Sequence, residues 1–409
     1  MKLKVKTLSM RQFVIPFVIA FLFSFLFLQF WQDTVAQRGY PLGFDIYLRW
    51  EAVRAFWRGQ SPYSSEVTAR ADLDIYGRSR NEDEIAYAFY DPAYAAVVLS
   101  PLMFVPLAWV GTIWSALGLA MLIVLMAHWS WQLKPRPKPW VWGLIIISGL
   151  LYRPAIMTII NGQYSLFLAG CAAIAWWLIV RKKDFPAGIV LAISTIKPSI
   201  FLFVPFVIML WALRWKRWPL IIGFAGTLTA LGIVTLVKIG WWVPEFLSSL
   251  DAYNRTLGKQ IEFSWSLNNI FSPPGLLWLL QSITLLVIGL RRMYRSNEFP
   301  WLACFAALNI NLISSPHIVE YDLGILLLPL LWFGTEWAKY RWGMAALIFL
   351  LWLPWTLWFI VIGLGGTTFQ WQNLVWRVFP NLLLVCTWVW LKIKNEPLLY
   401  LKEDRALKR

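Results

Sequence analysis

Residues Leu107 to Trp131 read LAWVGTIWSALGLAMLIVLMAHWSW, a run of 25 residues without an Asp, Glu, Lys or Arg. A helix needs about 20 consecutive apolar residues to cross the hydrocarbon core of a bilayer. Similar runs recur at Phe13 to Trp31 and Met344 to Leu364. Of the 409 residues, 59% are hydrophobic and 14% are charged, with a mean hydropathy of +0.60. Soluble chains carry about 25% charged residues, so the sequence excludes a water-soluble enzyme and predicts an all-α polytopic membrane protein.

The excess of basic residues lies in short clusters between the apolar runs. The chain has 37 Lys and Arg against 21 Asp and Glu, a net charge of +16. The clusters are Lys2, Lys4 and Lys6; Lys134, Arg136 and Lys138; Arg181 to Lys183; Arg214 to Arg217; Arg291 to Arg295; and Lys392 with Lys394. Short basic loops between spans are typical of the cytoplasmic side of a membrane, so the charge indicates contact with membrane lipids and not with nucleic acid.

If every basic cluster is cytoplasmic, the chain crosses the membrane an even number of times between successive clusters. The predicted spans are Gln12 to Trp31, Leu107 to Trp131, Pro139 to Leu151, Gln163 to Val180, Pro186 to Ile196, Pro198 to Leu213, Pro219 to Val237, Gly275 to Leu290, Trp301 to Ile313, Leu323 to Phe333, Met344 to Leu364 and Val378 to Leu391. They give about twelve crossings of the cell membrane, with both termini cytoplasmic, in one integral domain over residues 1–409. A cleaved signal peptide is the alternative for the first run.

Two large loops are predicted on the outer, periplasmic or extracellular side, at residues 33–89 and 238–274. Prolines interrupt the stretch Tyr90 to Val105, which predicts a re-entrant or interfacial helix there. Several spans hold only 11 to 13 residues, too few to cross a bilayer alone. Such segments survive at membrane depth only against protein or a water-filled cavity, so a polar cavity is predicted.

The segment from Gly43 to Tyr63 carries the first candidate catalytic residue. Apolar and charged side chains recur with helical spacing from Ile46 to Trp57, which predicts an amphipathic helix on the outer membrane face. Asp45 stands at the start of this helix, and it is either a residue that carries chemistry or a simple N-cap. In the same loop, Asp72-Leu-Asp74 resembles the metal-binding triplet of soluble glycosyltransferases, but we interpret it as a chance match in a charged loop.

Two further patches place polar side chains beside predicted helix ends. Tyr90 and Asp91 precede a proline that opens an apolar helix, and interfacial anchoring by tyrosine is the alternative interpretation of that patch. Arg153, Asn161 and Gln163 gather at an outer helix junction. Both patches are candidates for substrate binding.

The remaining candidates are ionisable residues inside apolar surroundings. Lys197 interrupts the apolar stretch from Ala187 to Leu213. A lysine at this depth either serves function or reaches back to the interface. His317 shares a short outer loop with Glu320 and Asp322, and it is either a structural histidine or part of a site.

Taken in order, these patches resemble glycosyltransferase family 87. The matching pieces are Asp45-Ile-Tyr47, Gly59-Gln-Ser-Pro-Tyr63, Tyr90-Asp-Pro92 with Pro101 and Pro106, Asn161-Gly-Gln163, Ala187-Gly188, Ile196-Lys-Pro198, Ser315-Pro316 and Asp322. The usual Tyr-Pro-Pro of the family appears here as Tyr90-Asp-Pro92, which leaves the role of Asp91 open.

The resemblance implies a GT-C glycosyltransferase fold and transfer of a hexose, with mannose expected. The donor would be a polyprenyl-phosphate sugar, the acceptor a glycolipid or glycan on the outer side, and the anomeric centre would be inverted. Asp45 would be the general base, and Lys197, His317 and Arg153 would face the donor phosphate. The other implied binding residues are Asn161, Gln163, Tyr63, Tyr90, Asp91 and Asp322. No soluble cofactor and no metal ion are expected.

Two other functions fit parts of the pattern. A secondary transporter would also combine short broken helices with a charge inside the membrane, but the sequence lacks an internal repeat and has a large outer loop. A non-catalytic protein that binds lipid or glycan would be favoured if Asp45 proved dispensable.

Overall fold

The computed structural model describes residues 10–34, 41–79, 88–133, 137–260, 272–315, 319–338, 340–366 and 368–393. Every regular element in these residues is helical, which confirms the predicted all-α class. The α-helices are α1 (Met10–Thr34), α2 (Phe44–Trp57), α3 (Ser65–Tyr76), α4 (Ala95–Val98), α5 (Leu107–Gln132), α6 (Pro139–Leu150), α7 (Arg153–Asn161), α8 (Ser165–Val180), α9 (Asp184–Ile193), α10 (Pro198–Phe201), α11 (Phe203–Arg214), α12 (Trp218–Ile239), α13 (Val243–Gln260), α14 (Pro273–Arg295), α15 (Trp301–Ser314), α16 (Leu327–Trp337), α17 (Arg341–Gly363) and α18 (Thr368–Ile393). Short 3-10 helices lie at Ser100–Phe104, Ser194–Ile196 and Glu320–Leu326.

Five of the described helices are long and apolar enough to cross a membrane. These are α1, α5, α12, α14 and α17. A sixth span results if α6 and α7, which meet at a bend of 40°, are counted as one. All twelve segments predicted to cross overlap helices. However, α8, α9, α11, α15 and the segment Val378–Leu391 of α18 are apolar over only 10–17 residues. A multi-pass membrane protein is therefore supported, and the number of twelve crossings stays a prediction.

The proline-rich stretch Tyr90 to Val105 folds as two short helices, α4 and Ser100–Phe104. Each covers fewer residues than a bilayer requires, as the prolines led us to expect. Its re-entrant or interfacial position stays a prediction.

Helix α2 confirms the predicted helix from Ile46 to Trp57 but lacks the water-facing charged side of the predicted amphipathic helix, and its position at the outer membrane face stays a prediction. It packs against α3, α4, α5 and α7, and every residue from Ile46 to Phe56 except Arg54 is buried. The amphipathic pattern does not hold because Arg49 pairs with the buried Asp91, and Glu51 is itself buried beside Arg54 of the same helix. From Ile46 onward, α2 is thus held by packing against its neighbours.

Two glycines bring the start of α2 against the end of α7. Gly43 and Gly162 both adopt left-handed backbone, with φ of +69° and +71°. The Gly43 N–H donates to the Ile160 carbonyl at 2.8 Å, and a Cβ on Gly162 would lie 2.7 Å from the Gly43 carbonyl oxygen. Only glycine fits this conformation and this close approach. Asp45 and Gln163, which follow the two glycines, are consequently held side by side.

The predicted orientation can be checked at the exposed turn between α8 and α9. On a cysteine-free background, we expect Lys182→Cys to react with a membrane-impermeant maleimide in inverted vesicles and not in intact cells. Lys182 is exposed and belongs to a predicted cytoplasmic cluster. Gln60→Cys, exposed in the predicted outer loop, is the matched control and should react in intact cells. Labelling of position 182 from outside would overturn the even-crossing argument.

Candidate active site

Asp45 is the second residue of α2, and its half-buried carboxylate faces the loop that follows α7. Its Oδ2 accepts a hydrogen bond from Gln163 Nε2. The N-cap interpretation is wrong, because Gly43 occupies the N-cap position and no side chain makes a capping bond there. Burial raises the pKa of the Asp45 carboxyl to about 6, although Arg49 and the Gln163 hydrogen bond favour its ionised form. A carboxyl with this pKa exchanges its proton close to neutral pH.

Gln163 links Asp45 to two cations. Its side-chain carbonyl Oε1 accepts from Lys197 Nζ at 3.1 Å and from Arg49 NH2 at 3.3 Å. Its amide nitrogen is the group that donates to Asp45. Gln163 is 7% exposed, so all three contacts are shielded from bulk water. Gln163, predicted as a substrate-binding residue, therefore lies at the centre of a polar cluster.

Lys197 stands where two short helices meet. Pro198 disfavours helical backbone at the preceding residue, and Lys197 has φ −124° and ψ 80°. Its Nζ lies 2.8 Å from Asp322 Oδ1. Asp322 Oδ2 also accepts from the Val319 N–H at 3.1 Å. The side chain of Lys197 is 14% exposed and ends against a buried carboxylate.

Arg49 occupies the same face of α2 as Asp45, one helical turn further along. Its Nε lies 3.0 Å from Asp91 Oδ2, and its guanidinium stacks 4.1 Å from the centre of the Tyr164 ring. Tyr164 donates its hydroxyl to Asp91 Oδ2 at 2.8 Å. Tyr63 donates to the Asp91 backbone carbonyl at 2.9 Å. Asp91, whose role the sequence left open, is thus the counter-ion of Arg49.

The six residues Asp45, Arg49, Asp91, Gln163, Lys197 and Asp322 form what we call the central cluster. It joins α2, the segment before α4, the loop after α7, the turn before α10 and the 3-10 helix Glu320–Leu326. Three carboxylates face two cations, so the fully ionised cluster carries a charge of −1. One proton on Asp45 makes it neutral. The arrangement favours uptake of a proton by Asp45.

Two other candidates, Arg153 and Asn161, have partners that are not members of the central cluster. Arg153, at the start of α7, pairs with Glu320 at 2.7 Å and lies 4.7 Å from the ring centres of Trp355 and Trp358. Asn161 donates to the Met157 carbonyl of its own helix at 2.7 Å. Tyr90 is half-buried beside Asp91. His317 lies outside the described residues.

In the described parts of the chain, no three His, Cys, Asp or Glu side chains come together as a possible metal site. Asp72 and Asp74 lie on α3. Burial and the neighbouring Glu51 raise the pKa of Asp74 to about 6. The described geometry therefore assigns no residue to a metal.

Comparison with known proteins decides the family. The model of glycosyltransferase family 87 matches residues 89–316, more than half of the chain. The chain belongs to this family. No curated protein and no solved structure matches it. The predicted resemblance is confirmed, and the protein is a membrane glycosyltransferase by family.

The family 87 match covers only part of the candidate site. Asp91, Arg153, Asn161, Gln163 and Lys197 fall inside residues 89–316. Asp45, Arg49 and Tyr63 lie before the matched residues. His317 and Asp322 lie after them. The glycosyltransferase's central cluster is thus assembled from matched and unmatched parts of the chain.

Two members of the site were not among the predicted residues. The sequence pattern placed Arg49 on the charged side of a surface helix, and no predicted motif includes Tyr164. One signal was available for Arg49, because Asp45 and Arg49 are four residues apart and share a helix face. Tyr164 gave no sequence signal beyond following Gln163.

Proposed function

We propose that this family 87 glycosyltransferase transfers a hexose, with mannose expected, from a polyprenyl-phosphate sugar to a lipid or glycan hydroxyl on the outer side of the cell membrane. Asp45 is the general base, and the anomeric centre is inverted. The observation that carries the proposal is the Asp45 carboxylate, which is bound at one oxygen by Gln163 and has a pKa raised to about 6 by burial. Burial raises the pKa of catalytic carboxyl groups toward neutrality in many enzymes, which suits them to general acid–base catalysis.

The reaction needs one proton acceptor and one anion stabiliser. The acceptor oxygen attacks the anomeric carbon and forms the new C–O bond while its proton passes to Asp45. The bond from the anomeric carbon to the phosphate oxygen breaks, and its electron pair leaves with the polyprenyl phosphate. No soluble cofactor or metal ion takes part in this scheme.

Lys197 is the cation we assign to the donor phosphate. An ammonium has three N–H donors, and Asp322 and Gln163 accept two of them. No oxygen of the described residues accepts the third, although Nζ also lies 5.4 Å from the centre of the Tyr321 ring. We assign this third N–H to a phosphate oxygen as the leaving group gains charge. We assign Arg153 and His317 as further cations near the phosphate, and Tyr63, Tyr90 and Asn161 to the walls of the substrate site.

A transfer assay tests the proposal directly. Membranes that contain the protein are incubated with radiolabelled polyprenyl-phosphate hexoses, and glycolipids are resolved by size. We expect a glycolipid lengthened by one sugar, with the opposite anomeric configuration to the donor. A nucleotide sugar should give no product when polyprenyl phosphate is absent. Transfer from the nucleotide sugar alone would contradict the proposed donor class.

The pH profile gives a second expected result. Because Asp45 must be ionised to accept a proton, kcat/KM should rise about tenfold per pH unit below pH 6 and level off above it. The measurement is initial transfer rate at low donor concentration from about pH 4.5 to 8. A profile that is flat over this range would contradict a base with the Asp45 pKa.

A further inference from the structure

We propose that Gln163 is a positioning residue that aims the carboxylate of Asp45, and that Arg49 and Lys197 lock the side-chain amide of Gln163 in the required orientation. The inference rests on the proposed function only in naming Asp45 as the base. It gives Gln163 a role other than the substrate binding expected from the sequence.

The orientation of the amide follows from the charges around it. One end of the Gln163 amide faces the ammonium of Lys197 and the guanidinium of Arg49, and the other faces Asp45. If the amide were reversed, its NH2 group would meet two cations and its carbonyl would meet a carboxylate. All three contacts would then be repulsive. The amide therefore has one stable orientation, with its NH2 directed at Asp45.

Each of the two cations is itself fixed. Arg49 is held by Asp91 and donates NH1 to the carbonyls of Asp45 and Gly162 at 3.2 and 3.4 Å. Lys197 is held by Asp322. Side chains that buried neighbours already hold in place lose little conformational entropy when substrate binds. Arg49 and Lys197 therefore give Gln163 a preorganised support.

The hydrogen bond from Gln163 occupies one of the two carboxylate oxygens of Asp45 and leaves the other for substrate. Oδ2 of Asp45 is bound by Gln163, and Oδ1 accepts no hydrogen bond from the described residues. The acceptor hydroxyl is therefore expected to meet Oδ1. The charged groups that face Asp45 are Arg49, Lys197 and Asp322, and loss of the Gln163 hydrogen bond removes one interaction that favours the ionised carboxylate.

The experiment replaces Gln163 with methionine, which has similar length and no amide. In Gln163→Met we expect the acid limb of the kcat/KM profile to move up by about 0.5 to 1 pH unit. At pH 6, kcat should fall about tenfold while the donor KM changes less than about threefold. Gln281→Met is the control, because it makes the same substitution and removes an amide hydrogen bond, from Gln281 to Asn381 at 3.2 Å, outside the central cluster. It should leave the pH profile unchanged.

A second variant guards against simple misfolding. Gln163→Glu keeps an acceptor for Arg49 and Lys197 but turns a carboxylate oxygen toward Asp45. Like charges in contact resist joint ionisation, so the acid limb should move further up than in Gln163→Met. A residue with only a structural role would lower activity without moving the limb.

A spectroscopic measurement keeps the inference independent of turnover. The protonated Asp45 carboxyl is followed by infrared difference spectra during a pH titration, and its band is assigned by its loss in Asp45→Asn. We expect this band to titrate at higher pH in Gln163→Met than in the wild type, even in a preparation that shows no transfer. Identical titration midpoints would overturn the role of Gln163 and leave the proposed transfer reaction intact. Transfer at the wild-type rate in Asp45→Asn would instead overturn the proposed base.

Discussion

Asp45→Asn is expected to lower transfer strongly while leaving the amount of folded protein in the membrane nearly unchanged. Asparagine has the same shape, and its carbonyl can still accept the hydrogen bond from Gln163. It cannot take the proton of the acceptor hydroxyl. Positioned general bases contribute about 10²- to 10⁴-fold to rate, so transfer should fall by about that factor. The measurement is initial rate with labelled donor, together with size-exclusion chromatography in detergent.

Asp74→Asn is the matched control for this substitution. Asp74 belongs to the same predicted outer loop, and burial raises its pKa to about 6 as well. It lies on α3 and has no contact in the central cluster. We expect the Asp74→Asn variant to keep most of its activity. Wild-type turnover in Asp45→Asn would contradict the assignment of Asp45 as the base. If only Asp74→Asn lost activity, the Asp72-Leu-Asp74 triplet would become the candidate catalytic motif.

The helices could be predicted from sequence because the length of an apolar run and the spacing of its residues are local features of the chain. The runs at α1, α5 and α17 identify membrane-capable helices without knowledge of the fold. The burial of α2 could not be predicted in the same way. Its charged residues Arg49 and Glu51 give the pattern of a surface helix, and only the distant partner Asp91 makes a buried position for Arg49 favourable.

The candidate site was predicted in parts and not as a network. Each of Asp45, Gln163, Lys197 and Asp322 stood out as a polar residue beside an apolar helix. Their pairing was hidden, since Asp45 and Gln163 are 118 positions apart and Lys197 and Asp322 are 125 apart. Contacts at such separations depend on how α2, α7 and α10 pack. The sequence consequently identified candidate residues, and the structure supplied their partners.

Lys197→Met is expected to impair both folding and transfer. From the sequence alone, in which Lys197 has no evident partner, we would expect an effect on transfer and little effect on folding. A lysine without a partner could be removed at little cost to the fold. Lys197 is instead paired with Asp322, whose side chain is 3% exposed. Removal of one partner leaves a buried charge uncompensated, at a cost of about 3–5 kcal/mol in unfolding free energy. Thermal unfolding of the purified protein should therefore show a lower midpoint for Lys197→Met.

The double variant Lys197→Met with Asp322→Asn separates the two roles of the lysine. With both charges gone, much of the lost stability should return, because the introduced asparagine can still accept from the Val319 N–H, as Asp322 does at 3.1 Å. Transfer should not return, since the donor phosphate then lacks the ammonium of Lys197. We expect the donor KM to stay raised about tenfold or more, in line with loss of a charge-assisted contact in a buried site.

The ion pair of Arg217 with Asp184 supplies the matched control. Its Nε to Oδ2 distance is 2.8 Å, and it links α12 to α9 away from the central cluster. Arg217→Met should lower stability, and adding Asp184→Asn should restore part of it, with donor KM unchanged throughout. If the Lys197 and Asp322 double variant behaved in the same manner, with wild-type donor KM, the lysine would serve only as the counter-ion of Asp322. The phosphate would then have to be held by another cation, and Arg153 beside Glu320 would be the next residue to test.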